Sequence, residues 1–220
     1  MLTVPRSNYE NMLETQSLYC YPNSEVLINN RNIKDTKVLA DVERMISTYN
    51  LSRLHVEPLK GNFDVKHYMK LHKFMFGELY PFAGEIRSEN MQKGSTLFCR
   101  PEYIHQYLDS VLKKMNQLIE KVTNEEELLD LLAYCYSEIN VIHPFREGNG
   151  RTQREFFREF VNAKVKIDDY DLDYSLLDAR GKQTLMNGSI ISAANGDTRL
   201  LKEFLRQSLV CKEKEHIHRR

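Results

Sequence analysis

The sequence predicts an all-α fold, a helical bundle with one small β-hairpin. Three observations carry that expectation. Apolar residues recur at helical spacing over several long segments. One segment, from Thr123 to about Ile142, is apolar around most of its circumference, as a helix in the middle of a core must be. The only stretch with strand character, Ile86 to Phe98, is short and folds about Lys93-Gly94-Ser95-Thr96.

The elements follow in order. From Met1 to about Asn50 the chain is rich in Asn, Tyr and charge, with turn signals at Tyr21-Pro22-Asn23-Ser24 and Asn29-Asn30. Asp35 can cap a helix to about Thr48, with Val38, Leu39, Val42, Met45 and Ile46 at helical spacing. A second helix spans Asp64 to Gly77 on Val65, Tyr68, Leu71, Phe74 and Met75, and Gly77 and Pro81 end it. After the hairpin, Glu102 to Val122 follows Pro101 and carries Ile104, Leu108, Val111, Leu112, Met115 and Ile119. Thr123-Asn124-Glu125-Glu126 reads as an N-cap with acidic first-turn residues. The helix they open contains Cys135 as a small hydrophobe and stops before Pro144. A further helix covers Asn149 to Val161, and two or three helical pieces lie between Leu172 and Val210. Lys212 to Arg220 is charge and histidine, a frayed end. In domain terms these are an N-terminal arm and entry helix (1–50), a main helical domain (51–205) and a charged tail (206–220).

Composition excludes several classes. At 220 residues and 41% hydrophobic, the chain can bury one sizeable core. Lys+Arg and Asp+Glu are 31 each, so no basic excess supports direct nucleic-acid binding. No window approaches a membrane span, and the polar, mixed-charge start from Met1 to Gln16 lacks the apolar core of a secretory leader. Four scattered cysteines without a CxxC pair form neither a zinc framework nor a disulfide scaffold. A reducing, cytoplasmic location is expected.

The chemistry concentrates in His143-Pro144-Phe145-Arg146-Glu147-Gly148-Asn149-Gly150-Arg151-Thr152-Gln153-Arg154. It reads as helix, tight loop, new helix. Gly148 and Gly150 allow a tight turn and close approach of the backbone to a ligand. The free N–H groups of the new helix point at the ligand with the positive end of the dipole, an anion site suited to phosphate. Arg151, Arg154 and Arg158 share one helical face, with Phe156, Phe157 and Phe160 opposite, and Arg158 is read as a surface residue outside the motif. Arginine suits phosphate oxygens through its planar fork. Glu147 is the carboxylate that can hold Mg²⁺ beside phosphate oxygens. His143 is the side chain able to take a proton near neutral pH. Together these features predict phosphoryl or nucleotidyl transfer.

This stretch resembles the signature of the Fic family, HPFx[D/E]GNGRxxR, at every defined position. Tyr19 to Ile46 is similar to that family's entry segment, Gly84-Glu85-Ile86-Arg87 to Phe98 to its flap, and Asn195-Gly196-Asp197 with Leu200 to its closing helix. The resemblance implies the Fic fold, with the hairpin as a flap over the active site. It implies transfer of AMP from ATP to a Ser, Thr or Tyr hydroxyl of a target protein, with pyrophosphate released. By position, His143 is then the base and Glu147 holds Mg²⁺. Gly148, Asn149 and Gly150 form the anion hole. Arg151 and Arg154 clamp the phosphates, Arg154 nearest the γ-phosphate, and Lys93 and Thr96 reach the nucleotide. The target segment registers along the flap by strand-like pairing. The alternatives are a Doc-like kinase, whose anion hole departs from Gly-Asn-Gly-Arg, another nucleotidyl or phosphodiester transfer by the same site, and a silent Fic-like binding module. Fic toxins of this form act on bacterial topoisomerase subunits, others on host GTPases after secretion, for which the basic tail would be the signal.

Many Fic proteins are silenced by a helix carrying [S/T]xxxE[G/N]. Here Glu precedes Gly or Asn only at Glu10, Glu89 and Glu147, and the residues four before are Arg6, Glu85 and His143. The expectation is therefore an inhibitory helix supplied in trans by a small antitoxin, or no inhibitor at all. A divergent inhibitory helix near Ser7 to Glu14 is the remaining internal candidate.

Overall fold

A computed structural model describes residues 16–94 and 96–212. Helix α1 is Thr36–Val56, capped by Asp35, whose carboxylate accepts from Lys37 N and Val38 N. It runs two turns past the expected end. Asn50 and Leu54 are both buried, and the Asn50 amide donates to the carbonyl of Met75 at 3.3 Å and to Glu78 at 3.2 Å. The apolar stripe also differs from the expected one. Leu39, Ile46 and Leu54 face the core with the polar Ser47 and Asn50, while Val38 and Met45 stand in solvent. Helix α2 is Val65–Phe76, capped by Asp64 and ended by Gly77 as expected.

Strands β1 (Gln92–Lys93) and β2 (Thr96–Leu97) form the expected antiparallel hairpin, with Lys93 opposite Thr96. Helix α3 is Pro101–Leu118, followed by a 3₁₀ turn at Ile119–Lys121. Helix α4, Glu125–Ile142, is the centre of the molecule. Leu128, Leu129, Leu132, Cys135, Tyr136 and Ile139 are buried on it, and α3, α5, α6 and α7 pack around it. Burial pushes the Cys135 thiol up to about 12, so it behaves as packing. Asn124 caps α4 by accepting from Glu127 N, and Glu127 accepts in return from Thr123 N.

Helix α5, Asn149–Lys164, buries Phe156, Phe157 and Phe160. Arg158 was expected at the surface and is not. It is 7% exposed, bonded to Glu155 at 2.6 Å and to the Leu54 carbonyl at 3.3 Å. The reason is tertiary. Helix α5 has neighbours on nearly every side, so its third arginine points into the seam with α1, where only a paired charge is tolerated.

A second antiparallel ribbon joins β3 (Tyr170–Leu172) to β4 (Leu209–Cys211), with Asp171 opposite Val210. The sequence reading did not foresee it, because the strands are short and far apart in the chain. Between them lie a 3₁₀ turn at Tyr174–Leu176, α6 (Ala179–Asn195) and α7 (Arg199–Ser208). Residues 206–211, placed in the tail from sequence, thus belong to α7 and β4. The remaining tail from 213 onward and the segment Ser7 to Glu14 lie outside the described residues. Among the described residues, no helix is long and apolar enough to cross a membrane.

Candidate active site

A cleft of about 390 Å³ opens between the β1–β2 hairpin and the loop joining α4 to α5. Its walls include Lys93, Phe98, His143, Glu147, Gly148, Asn149, Gly150, Arg151 and Arg154. Of the predicted residues, only Thr96 is absent from this lining; it pairs with Lys93 across the hairpin.

Helix α4 ends on His143, which adopts the left-handed region at φ 47°, ψ 63°. A following proline disfavours the right-handed helical region, so the chain leaves the helix here. The His143 ring stacks on Phe98 of the hairpin at 3.8 Å and 9°. Its Nδ1 lies 3.3 Å from the Asn140 carbonyl. A carbonyl can only accept, so in the neutral ring Nδ1 carries the proton and Nε2 keeps a free lone pair. Burial lowers the His143 pKa to about 4, the Arg87 and Lys93 charges push the same way, and the bond to Asn140 opposes them. At neutral pH this side chain is an unprotonated base.

The loop is built on a stack of rings. Phe145 is fully buried, with His72 stacked on it at 3.8 Å and Tyr68 at 5.5 Å. His72 accepts from Gly84 N through Nδ1 at 2.8 Å, so its Nε2–H donates to the Glu147 carbonyl at 2.9 Å. This imidazole ties α2 to the backbone of Glu147, a role the sequence reading missed. Its position was the available signal: His72 falls seven residues after Val65 and four after Tyr68, on the apolar stripe of α2.

Asn149 does not aim its side chain at the cleft. Its Oδ1 accepts from Phe145 N at 2.9 Å and its Nδ2 donates to Phe145 O at 2.7 Å, closing the loop on itself. Of the two glycines, only Gly148 needs its freedom of rotation. It has φ 78°, and a Cβ there would lie 2.5 Å from the Phe76 ring. Gly150 is helical, and a Cβ would meet only Arg154 Nη1 at 3.4 Å. No described side chain caps α5, so its first-turn N–H groups have no side-chain partner at the cleft.

Glu147 keeps a 41% exposed carboxylate, which accepts from Gly148 N at 2.8 Å and lies 3.6 Å from Arg151. Arg151 is anchored on α1. It donates to Glu43 and, at 2.9 Å, to Ser47 Oγ, and its guanidinium lies 4.8 Å from the Phe76 ring centroid. Glu43 also accepts from Tyr80. Sequence reasoning missed this anchor because α1 and α5 are remote in the chain. Arg154 reaches the buried Tyr136 hydroxyl from the cleft wall.

Two neutral histidines at the site set a pH dependence. Burial lowers His72 to about 4, as it does His143. The unfolded chain takes up a proton near pH 6.5 and the folded chain only near pH 4, so stability falls as pH drops through that window. For His72, 1% exposed, the loss amounts to about 3 kcal/mol. The His72→Gln variant, which can still donate to Glu147 O, should lose less stability on acidification. Denaturant midpoints at pH 7 and pH 4 for the two proteins measure the difference, and parallel curves would contradict it.

A helical bundle with an uncapped, arginine-flanked helix N-terminus beside a neutral histidine under a hairpin defines an anion-handling, group-transfer class of site. Residues 62–161 match the Fic/DOC family. A Sinorhizobium fredii protein named "Probable protein adenylyltransferase y4lH" is 33% identical over 73% of this chain and 81% of its own length. The "Protein adenylyltransferase VbhT" of Bartonella schoenbuchensis is 28% identical over 87% of this chain, which spans 38% of that relative. Among solved structures, the BepC protein of Bartonella tribocorum with bound AMPPNP superposes with a TM-score of 0.78, covering 88% of this chain and 97% of that one at 21% identity. The chain belongs to the Fic family, and its fold is the Fic fold.

Proposed function

We propose that this protein is an adenylyltransferase that moves AMP from ATP to a Ser, Thr or Tyr hydroxyl of a target protein. The observation that carries the reading is His143: a neutral imidazole with a free Nε2 in the same cleft as the uncapped α5 terminus and Arg154. The target hydroxyl oxygen attacks the α-phosphorus as its proton passes to His143 Nε2. The bond from that phosphorus to the bridging oxygen breaks, and pyrophosphate leaves. The α5 N–H groups stabilise the charge that builds on the phosphoryl oxygens, and Arg154 orients the outer phosphates. The names of the relatives support the same activity.

The residues fit Mg²⁺. Glu147 is a single, half-exposed carboxylate at the cleft, and the described residues hold no cluster of three ligands that would form an all-protein cage. Mg²⁺ commonly takes one or two carboxylates and completes its shell with phosphate oxygens and water. Glu147 would hold the ion, which when bound neutralises phosphate charge. The Glu147→Ala variant should bind ATP no better with Mg²⁺ than without it and lose most activity. Calorimetric titration with and without EDTA checks this; an undiminished Mg²⁺ effect would refute the role.

The target registers along the β1–β2 hairpin, and control is either by an inhibitory helix that a small antitoxin supplies in trans or absent altogether. Expression of this chain alone should then be toxic to bacteria, and deletion of residues 1–16 should leave its activity unchanged. A large rise in activity on deletion would place the inhibitor within the chain. Cys20, Cys99 and Cys135 are free thiols, which supports action in a reducing compartment such as the cytoplasm. The decisive experiment incubates the protein with ATP, Mg²⁺ and bacterial lysate and reads adducts by mass spectrometry. AMP on a hydroxyl side chain supports the proposal, and phosphate alone would assign the kinase-like reaction.

A further inference from the structure

Arg87 is one of the largest fully buried side chains, 1% exposed, and the transfer chemistry above gives it no part. Its guanidinium makes four hydrogen bonds. Nε donates to the His143 carbonyl at 2.8 Å, and one terminal nitrogen donates to the carbonyls of Cys99 and, at 3.3 Å, Ile142. The other terminal nitrogen donates to the Glu89 carbonyl. The backbone N of Arg87 adds a bond to the Pro144 carbonyl at 2.9 Å.

These acceptors fall into two groups. Ile142, His143 and Pro144 form the turn that carries the base. Glu89 and Cys99 are the two feet of the hairpin, three residues before β1 and two after β2. A single planar fork therefore bridges both feet of the hairpin to the turn. The four side-chain acceptors are all backbone carbonyls, and the Glu89 carboxylate is taken by Ser17 and Leu18. Burying a cation against carbonyls alone is a poor route to stability, which points to geometry as its purpose. His143 also needs fixing, because the left-handed region is strained for a residue with a Cβ and persists only where surrounding bonds hold it. The neighbouring contacts join the same unit: Phe98 stacks on the His143 ring, and Cys99 N donates to the Val141 carbonyl at 3.0 Å.

We propose that Arg87 is a positioning residue that locks the hairpin to the His143 turn, and so sets where a polypeptide lying along the hairpin presents its hydroxyl to the base. The second half of this statement rests on the transferase reading. None of these Arg87 hydrogen bonds goes to the loop from Gly148 to Arg154 or to the His143 ring. Lysine cannot replace it, since an ammonium has three donors and no fork to span two backbone segments.

The test uses the full chain as wild type, Arg87→Lys and Arg87→Gln. Amide hydrogen exchange at Phe98 and Cys99 reads the lock without any activity assay. Calorimetry reads ATP affinity, and turnover on the modified target reads positioning. Expected are faster exchange at those two amides, unchanged exchange in α4 and α5, ATP affinity within about twofold, and turnover down about 10- to 100-fold, as for a displacement of about 1 Å at a reacting group. Should Arg87→Gln fold poorly, Arg87→Lys, which keeps stem and charge, carries the same comparisons. Unchanged exchange overturns the lock. Faster exchange with full turnover overturns the positioning role. Equal losses of turnover and ATP affinity indicate general damage and also overturn it. A wild type that transfers nothing overturns the transferase reading alone, because the exchange data still decide the lock.

Discussion

Replacing His143 by Ala should lower transfer by about 10²–10⁴-fold while leaving ATP affinity nearly unchanged. The imidazole proposed as the base is lost, but the α5 terminus, Arg154 and Glu147 remain. Alanine also removes the ring from its stack on Phe98 and places a less tolerant residue at φ 47°. His143→Asn separates these effects. Asparagine accepts the left-handed region better than alanine and cannot serve as the base. Both variants should be inactive, and the Asn variant should be the more stable. Labelled-ATP transfer and a thermal melt on each decide the point. Activity within a few-fold of wild type in His143→Asn would remove His143 from the mechanism.

Asn149→Ala should destabilise the fold strongly. Its amide satisfies both the N–H and the C=O of Phe145, a fully buried residue. Alanine leaves two buried backbone groups unpartnered, at about 1–3 kcal/mol each, or about 2–6 kcal/mol in total. Asn149→Asp keeps the acceptor for Phe145 N but sets a carboxylate oxygen against Phe145 O, so it should recover only part of that loss. It also places a negative charge beside the anion site and should weaken ATP binding more than Asn149→Ala does. Denaturant unfolding measures the first effect and calorimetry the second. A loss under about 1 kcal/mol in Asn149→Ala would mean the loop closes without this side chain.

Local signals carried much of this molecule. Asp35, Asp64 and Asn124 stand where they cap helices, Gly77 ends α2, and Lys93 pairs with Thr96 at the turn of the hairpin. The apolar girth of α4 announced the centre of the core. The stripe on α1 misled, because its buried face includes Ser47 and Asn50, which no hydropathy pattern assigns to a core. Helix α1 overran its expected end for the same reason.

What the sequence determined by itself is the chemistry of the site: a histidine, a carboxylate, two glycines and two arginines within twelve residues, whose spacing alone puts them at one helix N-terminus. Order along one short segment suffices when every member lies within a loop and a few turns of helix. Tertiary structure alone decided what holds those groups in place. Glu43 and Ser47 anchor Arg151, His72 fixes the Glu147 peptide, and Arg87 binds the His143 turn to the hairpin. Each partner is remote in sequence, and each bond is to a backbone carbonyl or to a side chain whose proximity exists only once the helices pack. A buried polar group must find a partner, but the sequence does not say which one.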